Sequence, residues 1–337
     1  MSDLAPRLEG FLQRALEARS VRVENVRRLT GGASRETWSL DATVERPDGA
    51  TETLPLILQR DTRGGQKTMT RATEFALLRA AHDAGVPTPE PVLLGDGSLG
   101  GEFFLVRRLE GETLPRRLLR DDAYAATRGA LPAQLGRALA EIHAIALDTP
   151  GFEQLQRPPE DASNAAWSID RHEQIFRAIA PEPHPAFELA FRWLRSHLAG
   201  HAEGSRTLVH GDYRMGNMLF DEHGLQAVLD WELAHVGDPA EDLAWMCVRS
   251  WRFGGPQPVG GIGTREEFFA AYEAAGGAPV VPDWVRFWEV FGNLRWGIIC
   301  ITQARVYLDG HSNSVELASI GRRTAETEWE LLELIGE

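Results

Sequence analysis

Strand-like spacing of apolar residues is concentrated early in this chain and helical spacing dominates later, and this division restricts the fold more than any other feature. Between residues 21 and 60, apolar and polar residues alternate, as at Trp38, Leu40 and Ala42, which is the period of a half-buried β-strand. Beyond Gly111 the apolar residues recur at helical spacing. We therefore predict an α+β protein in which a small antiparallel sheet precedes a larger, mainly helical part.

The N-terminal part is predicted to combine two helices with the sheet. Helical patterns cover residues 6–19 and 69–84, and a Gly-Val-Pro sequence follows the second pattern, as expected where a helix ends. Three antiparallel strands are predicted between the two helices. Two further apolar runs follow at 91–94 and 102–109, which indicate additional strands.

The C-terminal part is predicted to be helical around one short β region. The predicted helices cover residues 131–147, 186–198, 265–275, 284–308 and 315–335. Short strand patterns lie at 207–210, 218–220 and 227–229. The glycine-rich stretch 254–263 is predicted to be a mobile surface loop, because so many glycines disfavour a core element.

Composition and charge exclude several classes of protein. The 49 acidic residues outnumber the 35 basic ones, which gives a net charge of −14 and disfavours nucleic acid as a partner. The first twenty residues lack an apolar signal sequence, and no apolar run is long enough to span a bilayer. Cys247 and Cys300 lack the spacing of a metal site. We expect a cytoplasmic protein without a membrane partner.

Three polar residues in the short β region have the spacing that phosphoryl transfer requires. Asn217 follows Asp212 by five residues, and Asp230 ends a hydrophobic strand. In kinases this order supplies a base and two metal ligands. Asp212 would accept the proton of a substrate hydroxyl. Asn217 and Asp230 would hold Mg²⁺, since that ion prefers oxygen ligands and leaves positions for phosphate.

The sequence around these residues resembles a known family. The stretch HGDYRMGNMLFD (210–221), followed by AVLDWELAHVGDPAEDLAW (227–245), resembles the aminoglycoside phosphotransferase family. Within that family it is most similar to phosphotransferases that resemble the kinase domain of acyl-CoA dehydrogenase fusion proteins. The similarity extends in order from residue 29 to residue 251.

This resemblance implies a two-lobed, protein-kinase-like fold. Residues 1–110 would form the nucleotide-binding lobe, and residues 111–337 would form a helical lobe with the catalytic loop and the substrate site. The implied activity is transfer of phosphate from ATP, with Mg²⁺, to a hydroxyl group of a small molecule. A hydroxyacyl compound and an aminoglycoside-like acceptor both remain open.

The resemblance also implies nucleotide-binding residues in the N-terminal lobe. Gly31, Gly32 and Ser34 would form the loop over the phosphates, although the glycines alone would favour a simple hairpin turn. Kinases place a phosphate-binding lysine at the end of the third strand. That lysine is absent here, so Arg60 is predicted to replace it, with Gln59 as the alternative because the strand register is open.

Five further residues are assigned by position in the implied fold. Glu74 is predicted to pair with the cation of the third strand, although a solvent-facing glutamate is an equal alternative. Backbone groups near Arg107 and Arg108 are predicted to bind adenine, although a buried strand that leads into a loop has the same sequence pattern. His210 is predicted to brace the catalytic loop, and Asp242 to anchor the following helix.

Two other functional classes compete with a kinase. A nucleotide-binding pseudokinase that regulates a partner is motivated by the missing strand lysine. A dinucleotide-dependent redox enzyme is disfavoured, because the sequence lacks the glycine fingerprint and the alternation of strands and helices typical of that fold.

Overall fold

The computed structural model describes residues 4–29, 35–61, 69–180, 182–198 and 206–336. The first elements are α1 (Leu4–Ala15), β1 (Ser20–Leu29), β2 (Arg35–Glu45), β3 (Thr51–Asp61), α2 (Arg71–Asp83), β4 (Pro91–Leu94) and β5 (Phe103–Arg107). The five strands form one antiparallel sheet in the order β1-β2-β3-β5-β4. The predicted three-stranded antiparallel arrangement is therefore found, with β5 and β4 added to its edge.

The two faces of this sheet have different neighbours. Alternate residues of β2 and β3, such as Leu40 and Leu56, are fully buried in a core that includes α1. The intervening residues, such as Thr37 and Ile57, line a cleft on the opposite face. Because strand side chains alternate between faces, the apolar pattern determines which polar residues reach the cleft.

The helix α2 lies between the sheet and the C-terminal part. Thr70 caps its first turn by accepting a hydrogen bond from the Thr73 amide, which stabilises a helix N-terminus. Glu74, in the first turn of α2, is only 2% exposed. After the helix, the Pro87 carbonyl accepts a hydrogen bond from the Val228 amide at 2.8 Å, so the segment that follows α2 is attached to the β region of the second part.

The second part is mainly helical. Its helices are α3 (Pro115–Arg120), α4 (Ala125–His143), α5 (Asn164–Ile179), α6 (Pro185–Ser196), α7 (Ala240–Cys247), α8 (Arg265–Ala274), α9 (Pro282–Leu308), α10 (Val315–Gly321) and α11 (Thr324–Gly336). Helix α9 runs through the centre and packs against α7, α10 and α11. None of the helices within the described ranges has the length and apolarity that a bilayer crossing needs.

Two short antiparallel pairs form the β region. They are β6 (Thr207–Val209) with β9 (His235–Gly237), and β7 (Met218–Asp221) with β8 (Gly224–Val228). The chain between β6 and β7 contains Asp212, and the chain between β8 and β9 contains Asp230. The two strand pairs therefore hold both ends of the segment that contains Asp212 and of the segment that contains Asp230.

Several sequence predictions need correction. Helices α3 and α5 were not predicted, and the helix predicted over 315–335 is two helices, α10 and α11. The stretch 254–263 was predicted to be a mobile surface loop. Its Val259 is instead fully buried, and the Gly260 amide donates to the Met246 carbonyl. That stretch packs against the loop between β6 and β7, since Gly260 lies against Met215.

Candidate active site

A buried carboxylate holds the backbone of the loop that contains Asp212. Asp242, on α7, accepts hydrogen bonds from the amides of His210 at 2.7 Å and Gly211 at 2.9 Å. Burial raises the pKa of Asp242, but hydrogen bonds from His143 and Gly211 outweigh it and leave the pKa below its usual value. Asp242 is therefore an ionised anchor for the catalytic loop, as well as part of the following helix.

The conformation of this loop requires glycine at one position. Gly211 has φ of +79°, a region in which residues with a side chain are strained. A Cβ atom at this position would lie 2.3 Å from the Leu233 carbonyl oxygen. The loop therefore approaches the segment after Asp230 more closely than any other residue would permit.

Asp212 is held by hydrogen bonds to both carboxylate oxygens. Its Oδ1 accepts from Trp245 Nε1 at 2.9 Å, and its Oδ2 accepts from Asn217 Nδ2 at 2.6 Å. Arg214 Nε lies 3.0 and 3.1 Å from the two oxygens. Because its partners are all N–H donors, the Asp212 carboxylate is fixed in position as a hydrogen-bond acceptor within this loop.

His210 has the geometry of a structural residue. Its Nδ1 accepts a hydrogen bond from the Asp212 amide at 3.2 Å. Burial lowers the pKa of its imidazole below the usual value, despite the nearby carboxylate of Asp242. A neutral ring that accepts a backbone amide braces the loop and is not an acid in the reaction.

Asn217 and Asp230 present oxygen atoms to the cleft beside Asp212. The Asn217 amide nitrogen donates to the Asp212 carbonyl and carboxylate, which leaves the Asn217 oxygen directed elsewhere. Both residues line the cleft. No group of three His, Cys, Asp or Glu side chains within the described ranges is arranged for a metal. One amide and one carboxylate nevertheless suit Mg²⁺, which keeps several positions for water and phosphate.

Arg35, on β2, is the central cation of the cleft, and sequence reasoning did not assign it a role. Its guanidinium binds Gln59 at 2.7 Å, Glu74 at 2.9 Å and Glu232 at 2.8 Å, and it also contacts Asp230. Burial opposes its charge, but the carboxylates raise the pKa of Arg35 above its usual value. One side chain therefore joins the sheet, α2 and the segment after β8.

The prediction that Arg60 pairs with Glu74 is wrong. Glu74 binds Arg35 and Arg71. Arg60 pairs with Glu36 and donates to the Leu99 carbonyl at 3.2 Å, on the face of the sheet that packs against α1. Side chains alternate along β3, so Gln59 faces the cleft and Arg60 faces away from it.

The cleft beside these residues has an apolar wall. It is a cavity of about 380 Å³ between the sheet and the helical part. The wall includes Ile57 and Val106 from the sheet, and Leu219 and Leu229 from the β region. Asn217 and Asp230 border the same cavity, so a flat apolar group and a charged group could be bound side by side.

The predicted adenine contacts are only partly possible. The amides of Arg107 and Arg108 already donate to the carbonyls of Glu90 and Pro55. The Arg108 side chain binds Ser39 at 3.0 Å and Asp41 at 2.9 Å and borders a separate cavity beside these residues. Arg107 does border the cleft, as does Leu109. The predicted loop residues Gly31, Gly32 and Ser34 lie outside the described ranges.

The sequence contained a signal for Arg35 that could have been used. Trp38 and Leu40 face the core, so the odd-numbered residues of β2 face the cleft. The same argument selects Gln59 over Arg60 on β3. Trp245 had no such signal, because its contact with Asp212 depends on how α7 packs.

The sequence matches the phosphotransferase enzyme family over residues 25–288. It is 28% identical over 279 residues to acyl-CoA dehydrogenase family member 10 of Mus musculus, a match covering 76% of this chain and 25% of the relative. It is also 28% identical to human acyl-CoA dehydrogenase family member 11, with 75% and 34% coverage. The chain thus spans a quarter to a third of these relatives.

Solved structures share the fold over nearly the whole chain. A candidate aminoglycoside phosphotransferase from Ralstonia eutropha superposes with a TM-score of 0.77 at 22% identity, covering 98% of both chains. The aminoglycoside phosphotransferase APH(4)-Ia, solved with AMP-PNP and hygromycin B, gives a TM-score of 0.63 at 18% identity and also covers 98% of both. These similarities confirm the predicted two-lobed kinase-like fold.

Proposed function

Since this chain belongs to the phosphotransferase enzyme family, we propose that it transfers the terminal phosphoryl group of ATP to a hydroxyl group of a small molecule. The observation that carries the proposal is the position of Asp212. Its carboxylate is fixed by hydrogen bonds from Asn217 and Trp245, and Asn217 borders the same cleft as Asp230. We also propose that the boundary between the nucleotide-binding lobe and the helical lobe lies near residue 110.

Asp212 orients the attacking hydroxyl and accepts its proton. Trp245 and Asn217 each occupy one side of the carboxylate, while Arg214 bridges both oxygens through a single nitrogen. A substrate hydroxyl that replaces the Arg214 N–H group can donate its hydrogen bond to the Asp212 carboxylate. The hydrogen bonds from Trp245 and Asn217 to that carboxylate stay in place. The acceptor is thereby aligned for in-line attack on the phosphorus atom.

Asn217 and Asp230 would hold Mg²⁺. When bound, this ion neutralises charge on the phosphate oxygens. Leu229, next to Asp230, donates its amide to the Asn217 carbonyl at 2.8 Å, which keeps the two ligand-bearing segments together. Their separation is therefore set by backbone hydrogen bonds as well as by side-chain packing.

Arg35 would supply the cation that kinases place on the third strand. It contacts Glu74 on α2 and Asp230. In a kinase the strand lysine pairs with a glutamate on the following helix, and an aspartate near the phosphates binds the metal ion. The missing strand lysine was the reason to consider a pseudokinase. Because a buried cation occupies the same region from β2, that reason no longer favours the alternative.

The test measures Mg²⁺-dependent ATP consumption with a panel of hydroxylated acceptors. The panel includes hydroxyacyl compounds and hygromycin B. Replacement of the base, Asp212→Asn, is expected to lower kcat by about 10²–10⁴-fold. Asp309→Asn, an exposed carboxylate that pairs with Arg305, is the matched control and should leave kcat unchanged.

Two results would contradict the proposal. One is the absence of Mg²⁺-dependent turnover with every acceptor. The other is turnover that survives Asp212→Asn, since a base in direct contact with the hydroxyl cannot be lost without effect. Retention of nucleotide binding with no turnover in the unmodified protein would favour the pseudokinase.

A further inference from the structure

A second cavity lies on the helical lobe beside the segment that follows Asp230. It has a volume of about 190 Å³. Helix α5, helix α9 and residues 232–235 supply most of its lining. Small-molecule sites usually measure about 300–1,000 Å³, so this cavity suits a compact molecule or one end of a longer one.

Two arginines that line this cavity have no anionic partner. Arg171 lies on α5 and Arg295 on α9. Neither guanidinium forms an ion pair with any carboxylate of the described ranges, whereas most buried arginines here, such as Arg35 and Arg71, do. Arg295 is only 9% exposed. Its guanidinium lies over the ring of Trp245, 4.8 Å from the centroid.

The acidic residues in the lining are already matched by other groups. Glu232 pairs with Arg35 at 2.8 Å, and Glu241 pairs with His235 at 3.1 Å. His172 adds no charge, because burial and the nearby Arg295 lower its pKa to about 3. The two arginines therefore give the cavity an uncompensated positive charge.

Such an arrangement is unfavourable unless an anion enters. Burial and the nearby charge of Arg295 lower the pKa of Arg171, as expected for two cations that lie near each other. The buried charge of Arg295 is costly without a partner, and a group that accepts hydrogen bonds from Arg295 and from the partly exposed Arg171 relieves this cost. Carboxylates and phosphates match the planar donor geometry of arginine.

The cavity is connected to the catalytic base through one side chain. Trp245 lies under the Arg295 guanidinium and donates its Nε1–H to Asp212. A molecule anchored at Arg295 is thus one indole ring away from the base. Arg171 contributes to the lining of the same cavity from α5.

We propose that the phosphoryl acceptor carries an anionic group, a carboxylate or a phosphate ester, which Arg171 and Arg295 bind while Asp212 contacts its hydroxyl. This inference rests on the proposed function and specifies its substrate class. It separates this chain from an enzyme for polycationic aminoglycosides, whose charge the two arginines would repel.

The experiment compares acceptors that differ in charge. The probes are 3-hydroxybutyrate, its uncharged methyl ester, glycerol 3-phosphate and hygromycin B. Binding is measured by thermal shift with AMP-PNP present, and turnover by ATP consumption. At least one of the two anions is expected to raise the melting temperature more than the ester or hygromycin B does. The anion with the larger effect shows whether the site prefers a carboxylate or a phosphate ester.

Variants test the two arginines directly. Arg171→Gln is expected to raise KM for the anionic acceptor by about 10- to 100-fold, the loss of a charged hydrogen bond, with kcat and the KM of the ester nearly unchanged. Arg295→Gln should act in the same direction. Arg249→Gln is the matched control, because Arg249 borders a different groove and already pairs with Glu330.

The outcomes separate this inference from the proposed function. If no acceptor supports turnover but an anion still stabilises the protein through Arg171, the proposed reaction fails and the anion site stands. If the ester or hygromycin B is phosphorylated as well as the anions, and Arg171→Gln leaves every KM unchanged, the reaction stands and the inference is overturned. Failure of both anions to stabilise the protein, or an effect of Arg249→Gln alone, also overturns it.

Discussion

Replacement of Arg35 by glutamine removes the guanidinium that joins Glu74, Asp230 and Glu232. Removing one partner of a buried ion pair costs about 3–5 kcal/mol. The lower end applies here, because Glu74 keeps Arg71 and because Asp230 and Glu232 are 35% and 24% exposed, so that water relieves part of the cost. A loss of about 3 kcal/mol lowers the melting temperature of a chain of this length by roughly 4 °C.

The same change should also reduce catalysis. If Arg35 supplies the phosphate-binding cation, its loss is expected to lower kcat by about 10²–10³-fold. Steady-state ATP turnover and thermal unfolding measure the two effects on the same sample. Gln59, which faces the cleft and contacts Arg35, allows a rescue: the double variant Arg35→Gln with Gln59→Lys returns a cation to the third strand and should recover part of kcat.

The control is Arg60→Gln, the neighbouring arginine on the opposite face of the sheet. Arg60 is partly exposed and pairs with Glu36, so its loss should cost little stability and leave kcat unchanged. The reasoning would be refuted if Arg35→Gln retained the parental kcat and melting temperature. Equal losses from Arg60→Gln would refute it as well.

Other measurements address the catalytic loop and the buried thiols. Gly211→Ala should abolish turnover, because its Cβ would meet the Leu233 carbonyl at a φ of +79°; near-parental activity would contradict the assigned backbone. Asp242 has a lowered pKa in the folded state, so its stabilising effect is present above the unfolded pKa of about 4 and is lost as pH falls through the folded value. Urea unfolding at pH 3 to 7 should therefore show a weaker loss of stability with acid in Asp242→Asn than in the parent. Burial raises the pKa of Cys247 and of Cys300 to about 12, so iodoacetamide at pH 8 should label neither thiol unless urea is added; rapid labelling without urea would show that they are accessible.

Much of the fold was predictable because its signals are local. The strands around Leu40 and Leu56 alternate regularly, and the sheet was predicted from that alternation. Helix α5 was missed because its buried face includes small or polar residues such as Ala165 and Ser168, so its apolar period is weak. The break after Gly321 was missed because it depends on close contact with Ala304 of α9, which the sequence does not reveal.

The candidate site divides in the same way. Asp212 and Asn217 are five residues apart, and their contact follows from the geometry of one loop. The contact of Arg35 with Asp230 joins residues 195 positions apart, so it depends on how the sheet and the β region meet. Local patterns predicted the motif and could have placed Arg35 on the cleft face of the sheet, whereas the contact of Arg35 with Asp230 required the assembled structure.

The long separation between Arg35 and Asp230 has a consequence for synthesis on the ribosome. The sheet and α2 leave the exit tunnel well before Asp230 is translated, since synthesis proceeds at about 5–20 residues per second. During that interval Arg35 can bind Glu74, because both belong to the early segment, and this pair can hold α2 against the nascent sheet. Glu74 is thus the first carboxylate available to Arg35, and it keeps this contact when Asp230 and Glu232 complete the network in the folded protein.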